Sequence, residues 1–143
     1  MPVLADIARA VADELNAQPF GQAFTACRHY RPQFGLEELA TLRVSVVPRS
    51  LTLATASRAR STWEVAVDVA IQRRLLDPGN IVEIDTLVAL VEEVIAFVDG
   101  RRLAAYPQAA FVGIENDPAY ALDHMDELSV FTSVVTVRYR VLR

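Results

Sequence analysis

Between Trp63 and Ile71 every odd position is apolar (Trp63, Val65, Val67, Val69, Ile71), while the even ones are Glu64, Ala66, Asp68 and Ala70. Successive side chains on a strand point to opposite faces, so strict period-two alternation specifies a strand buried on one side. Its other side meets water or a partner, the pattern of an antiparallel sheet. The neighbours such a strand needs are supplied nearby. Thr41 to Val47 puts Leu42, Val44 and Val46 on one face, and Pro48-Arg49-Ser50 then predicts a turn. Leu51 and Leu53 begin a further strand, and Ser57-Arg58-Ala59-Arg60-Ser61 reads as the tip of a hairpin leading into Trp63.

The remaining segments follow from period and punctuation. Leu4, Ile7, Ala8, Val11 and Leu15 recur at helical spacing and predict an amphipathic helix that Pro19 and Gly21 stop. Ala23 to Tyr30, closed by Pro32, predicts a short strand. Asp77-Pro78-Gly79-Asn80 is a turn, and Asn80 with Glu83 three places on resembles a helix capping box. The helix it opens carries Ile81, Ile84, Leu87, Val88, Val91, Ile95 and Val98 along one stripe, and Gly100 suits the left-handed position that ends it. Its other side bears Glu83, Asp85, Glu92 and Glu93, an acidic strip. Two more strands are expected, Ala109 to Ile114 and Val130 to Leu142, joined by a polar connector from Glu115 to Glu127.

The order is helix, four strands, helix, two strands. It predicts one α+β domain over residues 1–143, with an antiparallel-rich mixed sheet of five to six strands and two main helices on one face. A chain of 143 residues buries roughly two-thirds of its unfolded surface, enough for an independent core. With 52% hydrophobic and 22% charged residues it is globular in composition. No apolar run approaches the roughly 18 residues of a membrane span. The opening Met1-Pro2-Val3-Leu4-Ala5-Asp6 lacks the basic and apolar regions of a secretory signal, and the one cysteine, Cys27, fits a reducing compartment. An intracellular protein is therefore expected. A net charge of −4 argues against a general nucleic-acid binder. The 14 basic residues are all arginine, which a GC-rich genome explains and which also suits interfaces.

Motifs that carry chemistry are missing. His29 and His124 have no second ligand at zinc spacing. Cys27 and His29 share one side of the expected strand, where the simpler reading is a small buried thiol beside a half-exposed imidazole. A nucleophile pair would also need an orienting group and an oxyanion setting. Asn116, Asp117 and Pro118 are turn formers, and the loop around them lacks the glycine and terminal glutamate of a calcium loop. Tyr106, Tyr120 and Phe131 lie among carboxylates, the wrong electrostatics for stacking bases. The sequence thus predicts no catalytic site, no metal and no cofactor.

Three stretches carry a family resemblance: Trp63 to Arg73, the helix Ile84 to Val94, and Glu115-Asn116-Asp117-Pro118-Ala119-Tyr120 through Phe131 to Val137. Together with the short N-terminal helix before a meander, they resemble the tail terminator, or tail-completion, proteins of long-tailed bacteriophages. The resemblance implies a non-enzymatic virion protein that forms a ring, typically a hexamer. It would cap the tail tube and bind the tail tube protein and a head–tail connector protein, with neither membrane nor specific nucleic acid as partner. It implies residence in the virion tail, and in the host cytoplasm before assembly. The residues themselves offer surfaces of opposite sign, Arg58 and Arg60 on the hairpin tip and Glu83, Glu92 and Glu93 on the helix, suited to head-to-tail contacts that close a ring. Two alternatives stand beside it. One is another connector or neck subunit of the virion. The other is a small-molecule-binding or enzymatic domain with a site around Cys27, His29 and the 115–127 loop.

Overall fold

The computed structural model describes residues 2–30, 38–55, 57–77 and 79–142; Pro32 and Pro78, assigned above to a strand end and a turn, lie outside them. The described residues form α1 (Val3–Asn16), β1 (Ala26–Arg28), β2 (Arg43–Thr55), β3 (Ser61–Arg74), α2 (Ile81–Val98), β4 (Ala110–Glu115), α3 (Leu122–Leu128) and β5 (Val130–Leu142), with a short 3-10 turn at Glu38–Ala40. The strands make a mixed sheet in the order β1-β2-β3-β5-β4. Only β1 and β2 run parallel; the other pairs are antiparallel. The architecture is α+β with a mostly antiparallel five-stranded sheet.

The alternation in β3 sets the two faces. Val65, Val67, Val69 and Ile71 are fully buried. Directly across from them on β5 lie Tyr139, Val137, Val135 and Ser133. All of these but Ser133 share one core with Ile7, Val11 and Leu15 of α1 and Leu87, Val91, Val94 and Val98 of α2. In that core α1 lies against β1, β2 and β3, and α2 lies against β5. The even positions of β3 are not simply wet: Ala66 and Ala70 are buried, Glu64 and Asp68 half-buried.

Four local expectations are corrected. First, Pro48-Arg49-Ser50 is a β-bulge and not a turn, so the two expected strands are one. Proline donates no hydrogen bond to a ladder and is tolerated at such an irregularity. The extra residue also changes parity. Val44 and Val46 face inward before it; after it Leu51 and Leu53 stand opposite Val65 and Trp63 on that same inner side. Second, the strand expected over 23–30 shrinks to Ala26–Arg28. Phe20 stacks on Phe24 (5.3 Å between ring centres) and meets Phe97 of α2 edge-on at 5.4 Å, which holds the preceding segment against the helix instead.

Third, the buried side of α2 is rotated from the expected stripe. Leu90 and Val94 face the core, whereas Ile81 is 72% exposed. Asn80 does cap this helix, accepting from Val82 N at 3.0 Å. Glu83 does not complete a capping box; its two oxygens accept from Leu76 N (2.8 Å) and Asp77 N (3.2 Å) and fasten the turn out of β3. Fourth, the 115–127 connector contains α3, which packs on β5. Gly100 takes the expected left-handed conformation, with φ 68°.

Candidate functional site

The hairpin of β2 and β3 is longer than the core that supports it. Strands in globular proteins average about 5–6 residues, whereas β2 spans 13 and β3 spans 14. The proximal part of β2 is buried, but residues 49–55 are all exposed, as are 57–60 at the tip. The tip is closed by Ser57 N donating to Arg60 O (3.0 Å) and Arg60 N donating to Ser57 Oγ (3.2 Å). Arg58 and Arg60 are thereby presented at the end of an arm. Arg60 also lines an open cleft of about 520 Å³ with Val3, Asp6, Tyr106 and Gln108, so the tip sits beside the start of α1.

The acidic partners divide differently from their sequence grouping. Glu83 is spent on the backbone of the β3–α2 turn, and Glu93 accepts from Gly21 N at 2.9 Å. Glu92 is exposed on α2. Nearer the start of the helix, Ile81 and Val82, with Leu76 of the turn before it, present apolar side chains to solvent, at 72%, 71% and 87% exposure. Of the expected strip, Asp85 and Glu92 stay exposed, and the exposed apolar residues include Ile81, which sequence periodicity had assigned inward.

A second feature lies on the outer face of the sheet, beneath α3. Arg49, Asp68, Asp117, His124, Thr132 and Thr136 line a pocket of about 340 Å³. Asp68 accepts from Thr136 Oγ1 at 2.7 Å and pairs with Arg49 at 3.2 Å, and His124 Nδ1 lies 2.8 Å from Thr132 Oγ1. Asp68 is thus charge-paired with Arg49 and hydrogen-bonded by Thr136, and the His124 imidazole is tethered at the Thr132 hydroxyl. Cys27 and His29 take no part in it. Cys27 sits on β1 and His29 directly after it, at the opposite edge of the sheet from β4, so Cys27, His29 and the 115–127 loop are not brought into one site. The Cys27 thiol is exposed and not buried. Among the described residues no cluster of histidine, cysteine and carboxylate side chains has the geometry of a metal site. Nor is any described helix long and apolar enough to cross a membrane.

Sequence reasoning found the arginine tip but missed the outer-face network. Its only signal was Asp68, a charge at the centre of a strand whose flanking even residues are alanines. No protein family model matches the chain, and no curated protein matches its sequence.

Proposed function

We propose that the protein is a structural subunit of a phage virion, a tail terminator that assembles as a ring on the tail tube and joins it to the head. The observation that supports this reading is the exposed β2–β3 arm carrying Arg58 and Arg60 at its tip. In a head-to-tail ring each arm reaches the neighbouring subunit, and Glu92 is an exposed carboxylate placed to receive it. Such exposed ion pairs contribute about 0–1 kcal/mol each and act mainly on register and on-rate. The exposed apolar residues Leu76, Ile81 and Val82 at the start of α2 supply the larger share through burial. The ring, typically of six copies, meets the tail tube protein on one side and a connector protein on the other. The chain itself catalyses nothing and holds no cofactor.

The test is charge reversal in the assembled particle. Virions built with Arg58→Glu/Arg60→Glu are expected to show tails of irregular length and unattached heads by electron microscopy. Adding Glu92→Arg should restore part of the normal population. Uniform, capped tails with the double variant would remove the arm tip from the interface.

A further inference from the structure

The outer edge of β2 is paired for only a short distance. β1 matches Val44 to Val46, and His29 N adds one more bond to Val46 O at 3.0 Å. Beyond that point the edge has no backbone partner among the described residues, and residues 49–55 are exposed. An open edge is a template for another strand, and proteins that do not want one usually place lysine, proline or a bulge along it. Here the proline and the bulge, Pro48 and Arg49, come before the open stretch. Ser50-Leu51-Thr52-Leu53-Ala54 itself carries no charge, no proline and no glycine.

That stretch is also symmetric about Thr52: leucine on each side, then a small residue on each side. When two copies of one strand pair antiparallel around a two-fold axis perpendicular to the sheet, facing residues must share parity, because the axis preserves the faces. The axis then passes midway between the two copies of one residue. With Thr52 at that centre, Leu51 faces Leu53 of the second copy and Leu53 faces its Leu51, while Ser50 faces Ala54. All four leucines fall on one face. It is the face on which Leu51 and Leu53 already stand opposite Val65 and Trp63. Both leucines are partly open to solvent in the single chain, at 40% and 55%. The edge is complementary to itself in hydrogen bonding and in apolar pattern together.

We propose that a second copy of this chain pairs along Ser50–Ala54, antiparallel and centred on Thr52, so that one sheet runs through a two-fold dimer. The inference does not depend on the phage reading, and it concerns the protein free in solution.

The experiment is hydrodynamic and chemical. Purified protein is expected to sediment at twice the 15.8 kDa chain mass at micromolar concentration. Thr52→Lys places like charges face to face at the axis and should give monomers with an unchanged circular dichroism spectrum. In a Cys27→Ser background, oxidation should then report the register. Adjacent antiparallel pairs alternate between wide and close types, so either Thr52→Cys alone or a mixture of Leu51→Cys with Leu53→Cys should form a disulfide-linked dimer. Leu51→Cys alone or Leu53→Cys alone should form none, being offset beyond the reach of a disulfide. A wild-type chain that stays monomeric, a larger ring indifferent to Thr52→Lys, or crosslinking by the single leucine variants would each overturn the proposal.

Discussion

Glu14 is buried along α1 to 9% exposure, and a carboxylate there is tolerable only when donors reach it. Two do: Ala104 N at 2.8 Å and Arg101 Nε at 3.1 Å. Arg101 in turn lies over the Phe97 ring at 4.1 Å, so one side chain ties α1 to the segment after α2. Glu14→Ala leaves the Ala104 amide without its acceptor and should cost about 1–3 kcal/mol by urea titration. Cys27→Ser, at an exposed position, should change stability by less than about 0.5 kcal/mol in the same assay. Tyr139 presents the reverse case. It is fully buried, its hydroxyl has no partner among the described residues, and burial, with the Glu14 charge adding, pushes its phenol well above the usual range. A raised pKa of an acid means that the fold favours the neutral form. The stability it supports is therefore complete below the unfolded tyrosine value of about 10 and is lost as pH rises above it. Tyr139→Phe should be neutral or stabilising by about 1 kcal/mol, with a shallower loss of stability above pH 10 than the parent chain.

At the level of elements, the bulge after Pro48 takes up one extra residue, Arg49. Deleting Arg49 removes the extra residue and should leave a regular ladder, with Leu51 and Leu53 still opposite Val65 and Trp63 on the inner side. Trp63 fluorescence is expected to stay as in the parent chain, as it should in Arg49→Ala, which breaks only the pairing with Asp68; a shifted Trp63 spectrum in the deletion would mean that the register had slipped. The sequence made β3 legible because alternation there is uninterrupted, β5 because β-branched residues crowd it, and the arginine tip because it stands between two strands. The bulge was not, since Pro-Arg-Ser is also a turn sequence and nothing local distinguishes the two. α3 was hidden for the same reason behind Asn116, Asp117 and Pro118. Nor could spacing show that Glu83 and Glu93 serve the chain's own backbone: their donors are amides, one of them on Gly21, 72 positions away. α2 is apolar around much of its circumference, so periodicity could not choose the inward side between Ile81 and Leu90.

For the whole molecule, α1, α2 and the sheet share one core cluster, and a shared core predicts one cooperative transition. Trp63 fluorescence and far-ultraviolet circular dichroism should report coincident unfolding curves; separated midpoints would divide the chain into independent parts. The sheet order adds a consequence in time. β5 lies between β3 and β4 although it follows both in the chain, and Glu14 waits for an amide 90 positions later. A ribosome therefore releases the N-terminal helix and the long hairpin well before the strand that completes their core exists. Contacts so distant along the chain close slowly. Throughout that interval the nascent chain carries exposed apolar strands, a liability that chaperones exist to meet. Folding of this sheet thus waits for β5, and a ribosome stalled before Val130 holds a chain with the middle of its sheet still unmade.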